Sequence, residues 1–368
     1  MSAARADQWL SLAISDIAVF GSGDLISVAK LSARSGSHPV PVYGGNGIAG
    51  YTSSAMIDQP TVILGRVGQK CGVVYRNAGP AWITDNALYA RRFKRPLDVQ
   101  FLTFALEAAR LNDVKNRNDL PLITQSILND VKIAWPDSLT EQRQISRAMA
   151  DIADLIASLE RMITKKQWIK QGMMQELLTG RTRLPGFTKQ WEPKRLGDLL
   201  AYEQPGRYLV SSTEYGDVGT PVLTAGKTFI LGRTTERNGI HYAVPVVIFD
   251  DFTTASKFVT FPFKVKSSAM KILSARLGVN IRYMYERMQL IDYPVVDHKR
   301  RWIAEYSKIE VEVPDDAEQR AIASVIDDAD AEIHALEARI AKARAKKAGM
   351  MHELLTGRTR LPAKEGAA

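Results

Sequence analysis

One fourteen-residue phrase occurs twice: GMMQELLTGRTRLP runs from Gly172 to Pro185 and GMMHELLTGRTRLP from Gly349 to Pro362, differing only at Gln175 and His352. A match of this length is a duplication, and it obliges the chain to build the same local structure twice. The EQR triplets starting at Glu141 and Glu318 keep the same offset of 177 residues, so neither copy has gained or lost a position between triplet and phrase.

Between triplet and phrase, apolar residues recur in alternating steps of four and three. They are Ile145, Met149, Ile152, Ile156, Leu159 and Ile163 in the first copy, and Ile322, Ile326, Ala329, Ile333, Leu336 and Ile340 in the second. This is the seam of a coiled-coil helix. Ser138 and Asp315 stand three residues before Glu141 and Glu318, so each helix is expected to open on a capping box in which cap oxygen and carboxylate satisfy free backbone amides. Gly180 and Gly357 end the two helices. Chain order is then globular region, long helix, globular region, long helix. The second helix most simply returns along the first, which places two like seams antiparallel with an approximate twofold relation between the repeats.

The expected division is a first globular domain over 1–137, a long helix over 138–182, a second globular domain over 183–314, a second long helix over 315–357 and a tail over 358–368. The two globular regions open alike, with Trp9 and Asp16 matched by Trp191 and Asp198 at an offset of 182, and then diverge. The first carries PVPVYGGNGIAGY, VILGRVGQKCGVV and WITDNALYA. The second carries TPVLTAGKTFILGRT and VPVVIFDDFTTASKFVTFPFKVKSSAMKIL. Short β-rich runs broken by glycine turns predict a mixed α/β (α+β) domain in each case.

Composition enters through the distribution of charge. The formal net charge is +9, but residues 161–183 hold six basic side chains against Glu176, and residues 339–360 hold seven against Glu353. The rest of the chain is slightly acidic, so bulk charge does not drive whatever the globular regions bind. A single cysteine, Cys71, permits no internal disulfide, and no cluster has zinc-ligand spacing. With no basic stretch leading into an apolar run at the amino terminus, and no apolar run long enough for a bilayer, a soluble cytoplasmic protein is expected.

Three short motifs imitate enzyme sites. Gly45, Gly47 and Gly50 spell GxGxxG, but no amphipathic helix follows and no acidic residue stands at the ribose distance. The run is read either as a turn that lets backbone approach DNA or as a structural hairpin. Gly226, Lys227 and Thr228 end like a phosphate-binding loop, yet Pro221 occupies the position that needs glycine. Lys227 is left as a phosphate or base contact or a solvated turn lysine. Asp250 and Asp251 suggest a magnesium pair, but a third carboxylate and a lysine at nuclease spacing are missing. Hydrogen bonding or a strand-end turn explains them as well.

The EQR-headed helices that end in ELLTGR, each following a divergent region, resemble the repeated regions of Type I restriction-modification specificity subunits. The intervening segments resemble their target recognition domains. PVYGGNGIAGY with GRVG and ITDNA, and TPVLTAGKTFILG with VIFDDFTT and FKVKSSAMK, look like recognition-domain patterns of that family, and the resemblance covers essentially the whole chain. It implies two recognition domains joined by two long helices in an antiparallel coiled coil, reading a split DNA site without a catalytic centre. It also implies assembly with two methyltransferase and two motor-nuclease subunits, which would carry the S-adenosylmethionine, ATP and magnesium; no cofactor is expected on this chain. Candidate DNA contacts are polar or basic residues on glycine-rich turns, since loops on a rigid frame can reach a groove. They are Tyr43, Asn46, Arg66, Lys70 and Asn86 in the first domain, and Thr224, Lys227, Arg233, Lys257, Lys266 and Ser268 in the second. Each is weighed against a solvated surface role, and Tyr43 against a place in the core. An enzyme with a degenerate motif and a purely protein-binding scaffold remain as competing functions at this point.

Overall fold

The computed structural model describes residues 9–68, 70–114, 121–224, 228–294 and 300–361. The first globular region opens with β1 (Trp9–Ala13), the single turn α1 (Ile14–Ile17) and β2 (Ala18–Ser22). It continues through β3 (Val40–Gly44), β4 (Gly47–Thr52), β5 (Val62–Gly65), β6 (Val74–Arg76), β7 (Trp82–Ile83) and β8 (Ala87–Phe93). It closes with α2 (Val99–Ala108), α3 (Leu111–Val114), α4 (Gln125–Asp130) and β9 (Lys132–Pro136), and the long helix α5 (Leu139–Leu178) follows. The second region repeats the plan with β10 (Glu192–Arg195), α6 (Leu196–Leu199), β11 (Leu200–Glu203), β12 (Thr220–Leu223), β13 (Ile230–Thr234) and β14 (Val246–Asp250). Then come β15 (Ser256–Val259), β16 (Lys264–Val265), β17 (Met270–Ala275), α7 (Ile281–Gln289), β18 (Glu310–Val313) and the second long helix α8 (Asp316–Leu354).

The strand pairing of the two regions is the same, strand for strand. In the first, the sheets run β1-β9, β2-β8-β5-β6 and β4-β3-β7; in the second, β10-β18, β11-β17-β14-β15 and β13-β12-β16. The short third strand is parallel to its neighbour in both regions. Even the register irregularity recurs, between Val42 and Tyr43 and between Val222 and Leu223. The strands β5 (VILG) and β14 (VVIFD) are buried along their whole length and, up to the Asp250 that ends β14, read as apolar runs, as strands covered on both faces do. One short helix rests on each such sheet, started by a side-chain cap: Asp98 accepts from the Phe101 amide at 2.8 Å, and Asn280 from the Tyr283 amide at 2.9 Å.

The chain divides into two compact units, one formed by residues 1–160 with 338–368 and the other by 161–337. Each therefore takes one half of each long helix. In the first unit Ile145 and Met149 from the start of α5 share a core with Leu354, the last residue of α8, and with Leu355 just beyond it. In the second unit Leu177 and Leu178 from the end of α5 share a core with Ile322 and Ile326 from the start of α8. The partners along the seam run in opposite directions: in the second unit Lys166 pairs with Glu332 at 2.7 Å and Lys170 with Asp330 at 2.5 Å. In the first unit Arg344 pairs with Glu160 at 2.6 Å. The antiparallel helix pair expected from the repeat is present in both units. Among the described residues no helix is long and apolar enough to cross a membrane.

Candidate nucleic-acid interface

In the first domain three loops meet at one end of the sheets because backbone approaches backbone there. The Arg66 amide donates to the Asn86 carbonyl at 3.0 Å and the Thr84 amide to the Tyr43 carbonyl at 2.8 Å, tying the β5–β6 and β3–β4 loops to the turn before β8. A side chain on Gly45 would place its Cβ 3.0 Å from the Asn86 carbonyl oxygen, and one on Gly65 only 2.3 Å from the Gly45 carbonyl oxygen. This close approach is the physical reason for glycine in GGNG and in GRVG. Asn46, Lys70 and Asn86 are exposed on these loops. Arg66 is half-buried, with Nη1 donating to Ser22 Oγ at 2.7 Å. Tyr43 packs in the core with Ile63, Ile83 and Tyr89, and burial pushes its phenol pKa up. The sequence-derived group thus gathers, but Tyr43 supports the loops from beneath.

The second domain makes the same loop meeting with different residues. The Lys266 amide donates to the Leu223 carbonyl at 2.9 Å and the Asp251 amide to the Ala269 carbonyl at 3.0 Å, matching the two tethers of the first domain. The hairpin beyond Thr224 closes by a 3.0 Å bond from the Thr224 amide to Phe229. Thr224, Lys266 and Ser268 share this end, and Lys266 and Ser268 are exposed, with Lys266 Nζ 5.5 Å above the Tyr215 ring. Lys227 lies outside the described residues. Arg233 sits opposite Pro221 at the far end of the β12–β13 ladder, where Nη1 donates to the Gly219 carbonyl at 2.8 Å. Lys257 is exposed on β15, the edge strand of the other sheet. These two do not join the loop end.

The aspartate pair is taken up by the fold. Asp250 accepts from the Phe252 amide at 2.9 Å and the Thr253 hydroxyl at 2.8 Å, a turn closing the end of β14. Asp251 accepts from the Trp302 amide at 2.8 Å and pairs with Lys271 at 3.1 Å, both side chains being almost wholly buried. Among the described residues no group of three or more possible metal ligands comes together.

The repeated triplet has a role that spacing alone does not reveal. In the second unit Glu318 accepts from Arg183 Nε and Nη2, both at 2.6 Å, and from the Trp191 indole at 3.2 Å. In the first unit Glu141 accepts from Arg360 Nε and Nη2 at 2.9 and 2.8 Å, and from the Trp9 indole at 3.2 Å. The cap halves of the expected boxes form, with Ser138 and Asp315 accepting from the Glu141 and Glu318 amides. The carboxylates, however, are aimed at the tryptophan and at the arginine of the other repeat's TGRTRLP phrase, because a charge-assisted fork is stronger than a bond to a solvated amide. Gln142 and Gln319 complete the device, each accepting at 2.9 Å from the backbone amide of the residue that caps α2 or α7. Each triplet thus fastens the capped helix of its globular domain and the other repeat's end at one point.

No family model matches the chain. Over 145 residues, 37% of the chain, it is 48% identical to the Type I restriction enzyme EcoR124I/EcoR124II specificity subunit of Escherichia coli, and over 134 residues it is 28% identical to the EcoprrI specificity subunit of the same organism. These matches span 35% and 32% of those proteins, about a third of each. The fold is that of a Type I restriction-modification S subunit from M. genitalium, with a TM-score of 0.66 at 14% identity, covering 96% of this chain and 98% of that one. A second structure, described as concerning complex assembly and conformational transition of the type I R-M system, matches with a TM-score of 0.56 at 11% identity, covering 95% and 98%. The resemblance read from the repeated phrases therefore holds in sequence over a third of the chain and in fold over nearly all of it.

Proposed function

We propose that this chain is the DNA-reading specificity subunit of a Type I restriction-modification complex, and that its two domains each read one half of a bipartite site. The observation that carries the proposal is that one loop apparatus is built twice on one frame, with the same tethers and different side chains. Two readers of two different short sequences need that arrangement, since side chains on loops can reach major-groove edges where all four base pairs differ. Adenine methylation, ATP hydrolysis and cleavage belong in this reading to two methyltransferase and two motor-nuclease subunits in the cytoplasm, which would hold S-adenosylmethionine, ATP and magnesium. The engagement of Asp250 and Asp251 inside the fold supports a non-catalytic role.

The test is expression with the methyltransferase subunit followed by mapping of methylated adenines. The expected result is a split motif with an unspecified spacer. Absence of sequence-dependent binding or methylation in the assembled complex would overturn the reading, as would turnover of DNA or ATP by the isolated chain.

A further inference from the structure

The loop end of the first domain encloses a cleft of about 500 Å³ lined by carboxamides and aliphatic side chains, together with Thr84 and the half-buried Asp85. Asn46 and Asn86 present exposed carboxamides on adjoining turns, and Asn46 takes part in no hydrogen bond or ion pair among the described residues. Beside them stand aliphatic side chains that a water-facing turn does not need: Leu25 is 80% exposed, Val28 81% and Ile48 51%. The exposed Lys30 lines a neighbouring cleft that shares Leu25 and Ile26 with this one, and it has no acidic partner among the described residues.

We infer that this cleft reads an A·T base pair in the DNA major groove, the carboxamides contacting adenine and the aliphatic side chains contacting the thymine methyl group. The inference rests on the specificity-subunit reading and deepens it. A carboxamide offers one donor and one acceptor side by side, the complement of adenine N7 and N6, while the C5 methyl of thymine is the one apolar group on the floor of that groove. Guanine and cytosine give the aliphatic wall nothing to bury. Lys30 supplies charge for a phosphate beside the cleft. At the corresponding end of the second domain Ile230 matches Ile48, but Lys266 holds the place of Thr84 and Ala269 that of Asn86, so the paired carboxamides and the assignment belong to the first domain.

The test uses the chain assembled with its methyltransferase subunits and a duplex bearing the mapped site. At an A·T pair of the half-site read by the first domain, other than the adenine that receives the methyl group, adenine is replaced by 7-deazaadenine, and separately thymine by uracil. Loss of adenine N7 is expected to weaken binding on the order of ten-fold, and loss of the methyl group about three- to four-fold. The same replacements in the other half-site serve as the reference. Asn46→Ala and Asn86→Ala should relax the requirement for that A·T pair in methylation maps, and the modified DNA gives an answer even where a variant folds poorly. Unchanged affinity for both modified duplexes overturns the inference while leaving the specificity role intact. Absence of sequence-dependent binding by the unaltered complex overturns the role itself, and this inference with it.

Discussion

The two globular domains share every strand pairing and almost no interior sequence, and the difference between them is confined to what the frame carries. The Arg66–Asn86 and Thr84–Tyr43 backbone tethers of the first domain recur as Asp251–Ala269 and Lys266–Leu223 in the second. Because these are main-chain bonds, they hold the loops in place without fixing the side chains the loops bear, apart from the glycines that the close approach requires. Apolar strands and main-chain tethers specify position; the loops are free to specify affinity. The sharpest way to break this comparison, on the reading proposed above, is to exchange residues 183–314 for the corresponding region of a Type I specificity subunit. One half of the methylated motif is expected to change completely and the other not at all. A motif altered in both halves would show that the domains do not read independently.

Much of the frame was legible from the repeat: the two helices, their seams, their antiparallel pairing and the glycines that end them follow from offset and period. The matched topology was not legible, because β5 and β14, or β3 and β12, share only an apolar pattern that many sequences satisfy. The site was legible in part. Glycine-rich turns located the loop ends, yet the same rule selected Arg233 and Lys257, which stand elsewhere, and Tyr43, whose ring is core. The Trp–Glu–Arg clusters were missed although every member was visible at matched offsets, since spacing within one helix suggested a local capping partner. The signal that could have found them was the equal repetition of Trp9, Glu141 and Arg360 as Trp191, Glu318 and Arg183.

Those clusters allow a quantitative comparison of the units. The Glu318 side chain is 2% exposed and Arg183 26%, whereas Glu141 is 9% exposed and Arg360 41%. Removing one partner of a buried pair strands the other charge, so Glu318→Ala is expected to cost about 3 kcal/mol or more. Glu141→Ala should cost about 1–2 kcal/mol, because water can solvate the released Arg360. Urea unfolding of the two variants checks the order; equal losses would mean that exposure of the arginine does not matter.

The glycines that end the long helices offer a smaller contrast. Gly180 and Gly357 have φ of +70° and +71°, so alanine at either carries the same left-handed cost of about 1 kcal/mol. Their surroundings differ: a Cβ on Gly180 would lie 3.4 Å from the Trp191 ring, and one on Gly357 only 2.6 Å from the Trp9 ring. Gly357→Ala should therefore lose about 1 kcal/mol more than Gly180→Ala, as overpacking against an indole does. Thermal unfolding of the pair measures the difference.

The least of these contrasts is a matter of pH. Ile57 and His241 hold the same place, each exchanging two backbone hydrogen bonds with the segment before the short parallel strand: Ile57 with Ala81, and His241 with Phe263. The His241 ring stacks on Phe263 at 4.9 Å and meets the Tyr208 ring edge at 4.8 Å, and its buried Nδ1 has no hydrogen-bond partner among the described residues. Burial lowers its pKa below the ordinary 6.5, against the pull of Glu203, whose carboxylate lies 3.8 Å from Nε2. The unfolded chain then binds a proton that the folded domain refuses. Stability contributed by this group is complete above pH 6.5 and falls with pH until the folded pKa is reached, with a slope of up to about 1.4 kcal/mol per pH unit. Glu107 in the first unit and Glu286 in the second carry raised pKa values from burial, so their contributions run the other way and grow on acidification. Subtracting the pH profile of His241→Phe from that of the unaltered chain removes those carboxylates from the comparison. The difference should fall between pH 6.5 and 5.5, by at most about 1 kcal/mol, and a flat difference would show that the buried imidazole takes up its proton as readily in the folded domain as in the unfolded chain.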